Sequence, residues 1–274
     1  MRSCLIAGCG DVGTRLGLRL AASGIEVHAL TRRSVPPAPL RGRHVDLAAP
    51  HPPLPRGLAA DALVYLPAPA QRDAAAYRAL YVDGPARLLD ALAAPPRRFL
   101  FVSSTAVYGE DGGGWVDEDT PPQPRQWNGQ LLLEAELRLR ERVPGLVVVR
   151  FAGIYGPGRE ALLARVRAGQ GGAARHWTNR IHVEDAAAAL HHLLGLAAPA
   201  SLYLGSDGHP APEAEVLQWI AQRMGLTVAA PSAGPPSGRR LRATRLAASG
   251  FDCAWPDYRA GYGGLAALAT LSQD

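Results

Sequence analysis

The chain has 274 residues, 47% hydrophobic and 19% charged, and all 29 of its basic side chains are arginine, for a formal net charge of +5. That length suits one α/β domain with an elaboration, and the composition excludes a disordered chain. No apolar run approaches the roughly 20 residues of a membrane span. The three cysteines lack zinc-like spacing, and the dispersed arginines come without an aromatic–basic module for nucleic acid. A reduced, cytoplasmic setting with no metal is expected, since "MRSCLIAGCG" is too short an apolar run for a signal peptide.

In chain order, "SCLIAGC" is a short apolar run ending in glycine and predicts a buried strand. "VGTRLGLRLAASG" carries apolar residues at helical spacing and stops at Gly24. "EVHALT" is the second strand, and "HVDL" (44–47) the third, after a proline-rich loop. "ALVYLPAP" is the fourth, followed by a long helix over 72–94. "RFLFVSST" is the fifth, with a glycine-rich loop at Gly112, Gly113 and Gly114 behind it. A helix over 129–142, the strand "LVVVRFAG", the strand "SLYLGS" and a helix over 211–225 complete the pattern. Strands alternating with helices predict a doubly wound parallel sheet. Its dinucleotide-binding core should span 1–150, with 179–205 returning to it, while 151–178 and 206–274 form a small substrate lobe.

"IAGCGDVGTRLG" sets Gly8, Gly10 and Gly13 in GxGxxG spacing between the first strand and first helix. The first glycine permits the tight turn, the second lets a pyrophosphate approach the backbone, and the third lets helix pack on strand. The helix N-terminus offers N–H groups to the phosphates. Where an NAD site carries an acid for the ribose, this chain has Arg32 and Arg33. They either pair with the 2′-phosphate of NADP(H), as a guanidinium can, or face solvent.

Longer stretches resemble the extended short-chain dehydrogenase/reductase family, the NAD-dependent epimerase/dehydratase group. "YVDGPARLLDAL", "FLFVSSTAVYG", "VRFAGIYGPGR" and "NRIHVEDAAAAL" carry the likeness along nearly the whole chain, and the ending "RLAASGFDCAWPDYRAGYGGL" resembles an atypical subgroup. Two departures stand out. The family's GxxGxxG has Ala7 at its first position. With "LEAE" (133–136) fixing the alignment, Asn128 and Leu132 occupy the slots of the catalytic Tyr-x-x-x-Lys pair, and the chain has no lysine at all.

The resemblance implies a Rossmann core, an oxidoreductase or epimerase acting on a small carbonyl or sugar-like substrate, and a homodimer built on helices 72–94 and 129–142. It places Ser104 in the catalytic Ser/Thr slot and Asp46 beside the adenine. Asn128 can position a group but cannot titrate, so the proton would come from Tyr108, His182 or water. Tyr108 is equally a packing residue, His182 a structural hydrogen-bonder, and Glu118 a solvated loop acid. The expected cofactor contacts are Gly8, Cys9, Gly10, Asp11, Val12, Gly13, Arg32, Arg33, Asp46, Leu66, Pro67 and Ala68. The expected substrate contacts are Thr105, Tyr155, Arg159 and Arg180, the two arginines binding an anion or else facing water. The alternative is a non-catalytic NADP(H)-binding sensor or scaffold.

Overall fold

A computed structural model describes residues 1–33, 35–54 and 57–271, with side chains described up to residue 264. The strands in chain order are β1 (Ser3–Ala7), β2 (Glu26–Thr31), β3 (Arg41–His44), β4 (Ala62–Tyr65), β5 (Arg98–Ser104), β6 (Gly112–Val116) and β7 (Leu146–Phe151). They continue as β8 (Gly153–Tyr155), β9 (His176–Thr178), β10 (Arg180–His182), β11 (Leu202–Gly205), β12 (Ala211–Pro212) and β13 (Ser237–Leu241). The helices are α1 (Asp11–Ala22), α2 (Ala74–Tyr77), α3 (Gly84–Ala91), α4 (Trp127–Arg142), α5 (Ala161–Arg167), α6 (Val183–Gly195), α7 (Glu213–Arg223), α8 (Thr244–Ala248) and α9 (Tyr258–Leu271). No helix among the described residues is long and apolar enough to cross a membrane.

Seven strands form the expected doubly wound parallel sheet, in the order β11-β7-β5-β4-β1-β2-β3. Strand β1 pairs in parallel with β2 and β4, β2 with β3, and β4 with β5. The chain steps outward from β1 to β2 and β3, then back past β1 to β4 and β5. Right-handed crossovers therefore put the helices after β1 and after β4 on opposite faces. With both faces covered, β1, β4 and β7 are almost wholly buried, which is why they read as continuous apolar runs.

Three local expectations are corrected. The third strand is "RGRH", not "HVDL": every β3 residue is exposed, as suits a charged sheet edge. Val45 and Leu47, which suggested the strand, are buried in the turn after it, where the Asp46 carboxylate accepts from the Ala48 N–H at 3.0 Å. The helix of 72–94 is shorter and is interrupted by a π-helical turn, Arg78–Asp83, between α2 and α3. The glycines at 112–114 lie in strand β6, not a loop, because β13 pairs with it from more than a hundred residues away. Glu110 Oε1 accepts from the N–H groups of Gly112 (2.6 Å) and Gly114 (3.1 Å) and fills the room a side chain would need.

The chain divides into two compact units. The first comprises Met1–Gly109, Pro122–Arg150 and Ala187–Tyr203; the second comprises Glu110–Pro121, Phe151–Ala186 and Leu204–Asp274. Residues 110–121 and 179–186, assigned to the core from sequence, cluster with the second unit. In the first unit, Arg78 grips Glu134 with two hydrogen bonds of 2.9 and 2.7 Å and Arg142 pairs with Asp90, tying the helices after β4 to α4. The second unit has its own core, in which Tyr155, Leu163, Val166, Leu217, Ile220, Tyr258 and Tyr262 pack together. Its four-stranded sheet, β12-β9-β13-β6, holds the Arg240 guanidinium 4.9 Å from the rings of both Trp115 and Trp177.

Candidate functional site

The three glycines of the first turn have three different reasons to be glycine. Gly8 has φ +89°, and a Cβ there would lie 2.4 Å from the Pro67 backbone. Gly13 sits under the turn, where a Cβ would press on Ile6 at 3.2 Å and the Gly8 carbonyl at 3.3 Å. Gly10 has nothing within 4 Å of a Cβ and leaves the helix N-terminus open. The Leu30 carbonyl holds the turn by accepting from the N–H groups of Gly8 (3.0 Å) and Cys9 (2.8 Å). Cys9 is buried with its Sγ 3.7 Å from Thr14 Oγ1, and burial raises its thiol above the usual range, so it is an inert spacer.

Above this turn lies a cavity of about 710 Å³. Of the expected cofactor contacts, Gly8, Cys9, Gly10, Asp11, Arg32, Arg33, Asp46, Pro67 and Ala68 line it. Val12 and Gly13 are buried and form no part of the lining, and Leu66 spends its N–H on the Ala7 carbonyl at 2.9 Å. Thr14, Arg15 and Leu18 also line it and were not anticipated, although with Asp11 they share one face of α1 at helical spacing. Leu80 was not foreseeable, because the π-helical turn delivers it. The Tyr65 hydroxyl donates to the Leu80 carbonyl at 2.5 Å, and the Tyr81 hydroxyl donates to the Pro67 carbonyl at 3.0 Å. Neither Arg32 nor Arg33 has a hydrogen-bond or ion-pair partner among the described residues.

A second group of predicted residues gathers where β5 ends. Ser104 caps a single 3₁₀ turn, Thr105–Val107, its Oγ accepting from the Ala106 N–H at 3.2 Å. Thr105 is half-buried beside it. Asn128 lies in the first turn of α4, half-buried. The next residue, Gly129, brings the helix against the 3₁₀ turn, since a Cβ there would meet the Ala106 carbonyl at 2.2 Å. Leu132, in the lysine slot, is 4% exposed and belongs to the core. These slots can offer hydrogen bonds from Ser104 and Asn128, and no titrating group.

Tyr108 is fully buried, and its hydroxyl accepts from Arg150 Nη1 at 2.8 Å. Arg150 in turn holds Glu136 through two further hydrogen bonds, and Ser103 Oγ donates to the same carboxylate at 2.6 Å. Nothing in the local sequence signals this buried network, although Glu136 ends the "LEAE" stretch that aligns the chain with the family.

The remaining predicted residues lie in the second unit. His182 is buried, stacked on Trp255 with ring centroids 4.1 Å apart, and its Nδ1 accepts from the Glu184 N–H at 3.3 Å. The Tyr155 ring meets His182 edge-on at 5.3 Å, and its hydroxyl donates to the Asp257 carbonyl at 3.1 Å. Burial pushes the Tyr155 phenol well above its ordinary range, with Asp207 adding to it. Arg159 is half-buried and Arg180 is buried, so Arg180 does not face water. Both line a separate cavity of about 510 Å³. Glu118 is not a solvated loop acid: it is 4% exposed and accepts from Thr244 Oγ1, the Leu204 N–H and the Arg245 N–H. Among the described residues no cluster of His, Cys, Asp and Glu could hold a metal ion.

A glycine turn feeding a helix N-terminus, beneath a cavity at the carboxyl ends of the strands of a doubly wound sheet, defines a dinucleotide-binding α/β protein. Residues 4–201 match the NAD dependent epimerase/dehydratase family. A Methylobacillus flagellatus structure, provisionally described as an NAD-dependent epimerase/dehydratase, is 38% identical with a TM-score of 0.82, each chain covered to 98%. Human epimerase family protein SDR39U1, solved with NADPH, is 24% identical with a TM-score of 0.77, covering 97% of this chain and 99% of its own. MoeE5, solved with UDP-glucuronic acid and NAD, is 22% identical with a TM-score of 0.80, covering 99% of this chain and 100% of its own. No curated protein matches the chain. The chain belongs to the NAD-dependent epimerase/dehydratase family of extended short-chain dehydrogenases/reductases.

Proposed function

We propose that this protein is an NADP(H)-dependent oxidoreductase or epimerase acting on a small carbonyl or sugar-like substrate, with hydrogen bonding in place of the usual tyrosine–lysine proton relay. The observation that carries the reading is the cavity over the glycine turn, whose wall includes two arginines with no partner among the described residues. A 2′-phosphate would give Arg32 and Arg33 charge-assisted bonds that NADH cannot offer. Gly8, Gly10 and the α1 N-terminus would take the pyrophosphate, and Asp46, Pro67 and Ala68 the adenosine side. The bound cofactor supplies or accepts hydride.

Within the first unit Ser104 orients a substrate oxygen, with Thr105 and Asn128 beside it; within the second, Tyr155, Arg159 and Arg180 supply a substrate-recognition surface. Without a tyrosinate in the family slot, the site forgoes acid–base assistance worth roughly 10²–10⁴-fold. Of the proton donors the resemblance implied, Tyr108 is committed to the buried Arg150 network and His182 is stacked on Trp255 inside the second unit, which leaves water to carry the proton at that lower efficiency. A cofactor-binding sensor is the second reading, favoured by the burial of Leu132 where the relay lysine would stand.

Fluorescence titration of the purified protein with NADPH and NADH tests the central claim. NADPH should bind more tightly; superimposed curves would remove the assignment to NADP(H).

A further inference from the structure

The 510 Å³ cavity of the second unit is lined by two acids and two arginines, among apolar walls that include Ile154, Leu162, Val216 and Tyr262. Both acids are already neutralised. Glu213 holds Arg165 at 2.6 Å and also accepts from the Ala173 N–H, while Glu160 holds Arg167 at 3.2 Å.

Arg180 is different. Its side chain is 96% buried by its 4% exposure, and Nη2 is anchored on Thr178 Oγ1. Thr178 in turn donates to the Ala211 carbonyl at 2.8 Å, so the guanidinium is held in one orientation. Its Nη1 is sealed from solvent and has no hydrogen-bond partner. No carboxylate lies within ion-pair distance of Arg180 among the described residues; its guanidinium lies 5.4 Å from the centre of the Tyr258 ring, and it acts on the Asp207 carboxylate only through space.

A guanidinium cannot shed its proton, so it stays charged where it is. A buried charge without a counter-ion is costly enough that folds rarely keep one unused. The nearby acid does not fill the role: Asp207 makes no ion pair with Arg180, and its Oδ2 is likewise unbonded.

We infer that this cavity is the binding site for a carboxylate group on the substrate, with the Arg180 guanidinium in its wall as the counter-charge. The inference rests on the functional reading above and names its substrate class. A carboxylate fits better than a phosphate for two reasons. One oriented guanidinium matches a planar monoanion, and the other polar group of the same strand region, the Asn179 amide, is spent on Arg239 and Leu241 backbone atoms at 2.8 Å each. The apolar walls suit a short carbon skeleton.

The test is thermal unfolding and calorimetric titration of the full chain with lactate, glucuronate and phenylacetate, each beside its uncharged amide or alcohol counterpart, and with inorganic phosphate. At least one acid should raise the unfolding midpoint while its neutral partner does not. Arg180→Gln should weaken that acid's binding about tenfold or more, the worth of a charge-assisted bond, and leave NADPH binding unchanged. If Arg180→Gln does not fold, Arg180→Lys must bind the acid more weakly than wild type. The inference is overturned by any of four results: no acid in the panel binds, neutral partners bind as well, phosphate binds more tightly than every acid, or a folded Arg180 variant binds the acid undiminished. Loss of NADPH binding by the wild type would be a failure of the functional reading instead, and is seen separately.

Discussion

Arg150 clasps Glu136 with Nε on Oε1 at 3.0 Å and Nη2 on Oε2 at 2.6 Å, and both side chains are sealed from water. The pair joins β7 to α4 and is completed by Tyr108 and Ser103, each of which precedes or follows the Ser104 turn closely. Glu136 thus fixes the turn that would present Ser104, with no need to touch a ligand itself.

Removing one partner of such a pair leaves an uncompensated buried charge, worth roughly 3–5 kcal/mol. Glu136→Gln should therefore lower stability by about that amount in urea-induced unfolding. A change within experimental error would show that the pair is not holding this part of the core.

The role proposed for Arg32 and Arg33 predicts a selective effect. Replacing Arg32 and Arg33 together with alanine should weaken NADPH by at least about tenfold, since bonds to charged groups contribute roughly 1.5–3 kcal/mol. NADH should bind as before. Parallel losses for both cofactors would assign the arginines to the shared part of the dinucleotide.

Asn128 cannot titrate, so Asn128→Ala should remove only a hydrogen bond, about 0.5–1.5 kcal/mol. That is roughly a tenfold effect on rate at most, and Ser104→Ala should cost at least as much. Steady-state kinetics against aldehydes, ketones and nucleotide sugars measures both. Brisk wild-type turnover abolished outright by Asn128→Ala would mean that the asparagine does more than donate or accept a hydrogen bond.

Asp207 makes stability depend on pH. Its ordinary value of 3.8 rises to about 7 in the fold because burial disfavours the charged form. The folded protein therefore keeps a proton that the unfolded chain has released, and the contribution of this group to stability is full below 3.8 and is lost as pH rises toward about 7. Asp207→Asn should flatten the fall in stability between mildly acidic and neutral pH. Denaturation curves for the two proteins that fall in parallel across that range would place the titration elsewhere.

For assembly, α4 leaves Leu137 54% and Trp127 39% exposed, whereas Leu131, Leu132 and Leu139 are used inside the first unit. A homodimer through this helix should show twice the chain mass in light scattering at micromolar concentration, and Leu137→Glu should shift it toward monomer. A monomeric wild type would count against it.

By itself the sequence determined the parts whose physics is local. Alternating apolar runs and helical spacings specify β1, β2, β4, β5, β7 and the helices between them, because strands buried on both faces must be apolar throughout. Gly8, Gly10 and Gly13 were equally legible, since backbone conformation and close approach leave glycine little competition. Tertiary structure decided what depends on partners distant in the chain. Strand β6 exists because Gly238–Leu241 pairs with it, and the Arg240 stack between Trp115 and Trp177 comes from three separate strands. Glu118 reads as a solvated loop acid, and Arg180 as either an anion-binding or a water-facing group, until segments far along the chain enclose them. Charged residues are assigned to the surface by default because burying them costs so much. Only the packed fold reveals where that cost has been met by a partner, as at Glu136, and where it has not, as at Arg180.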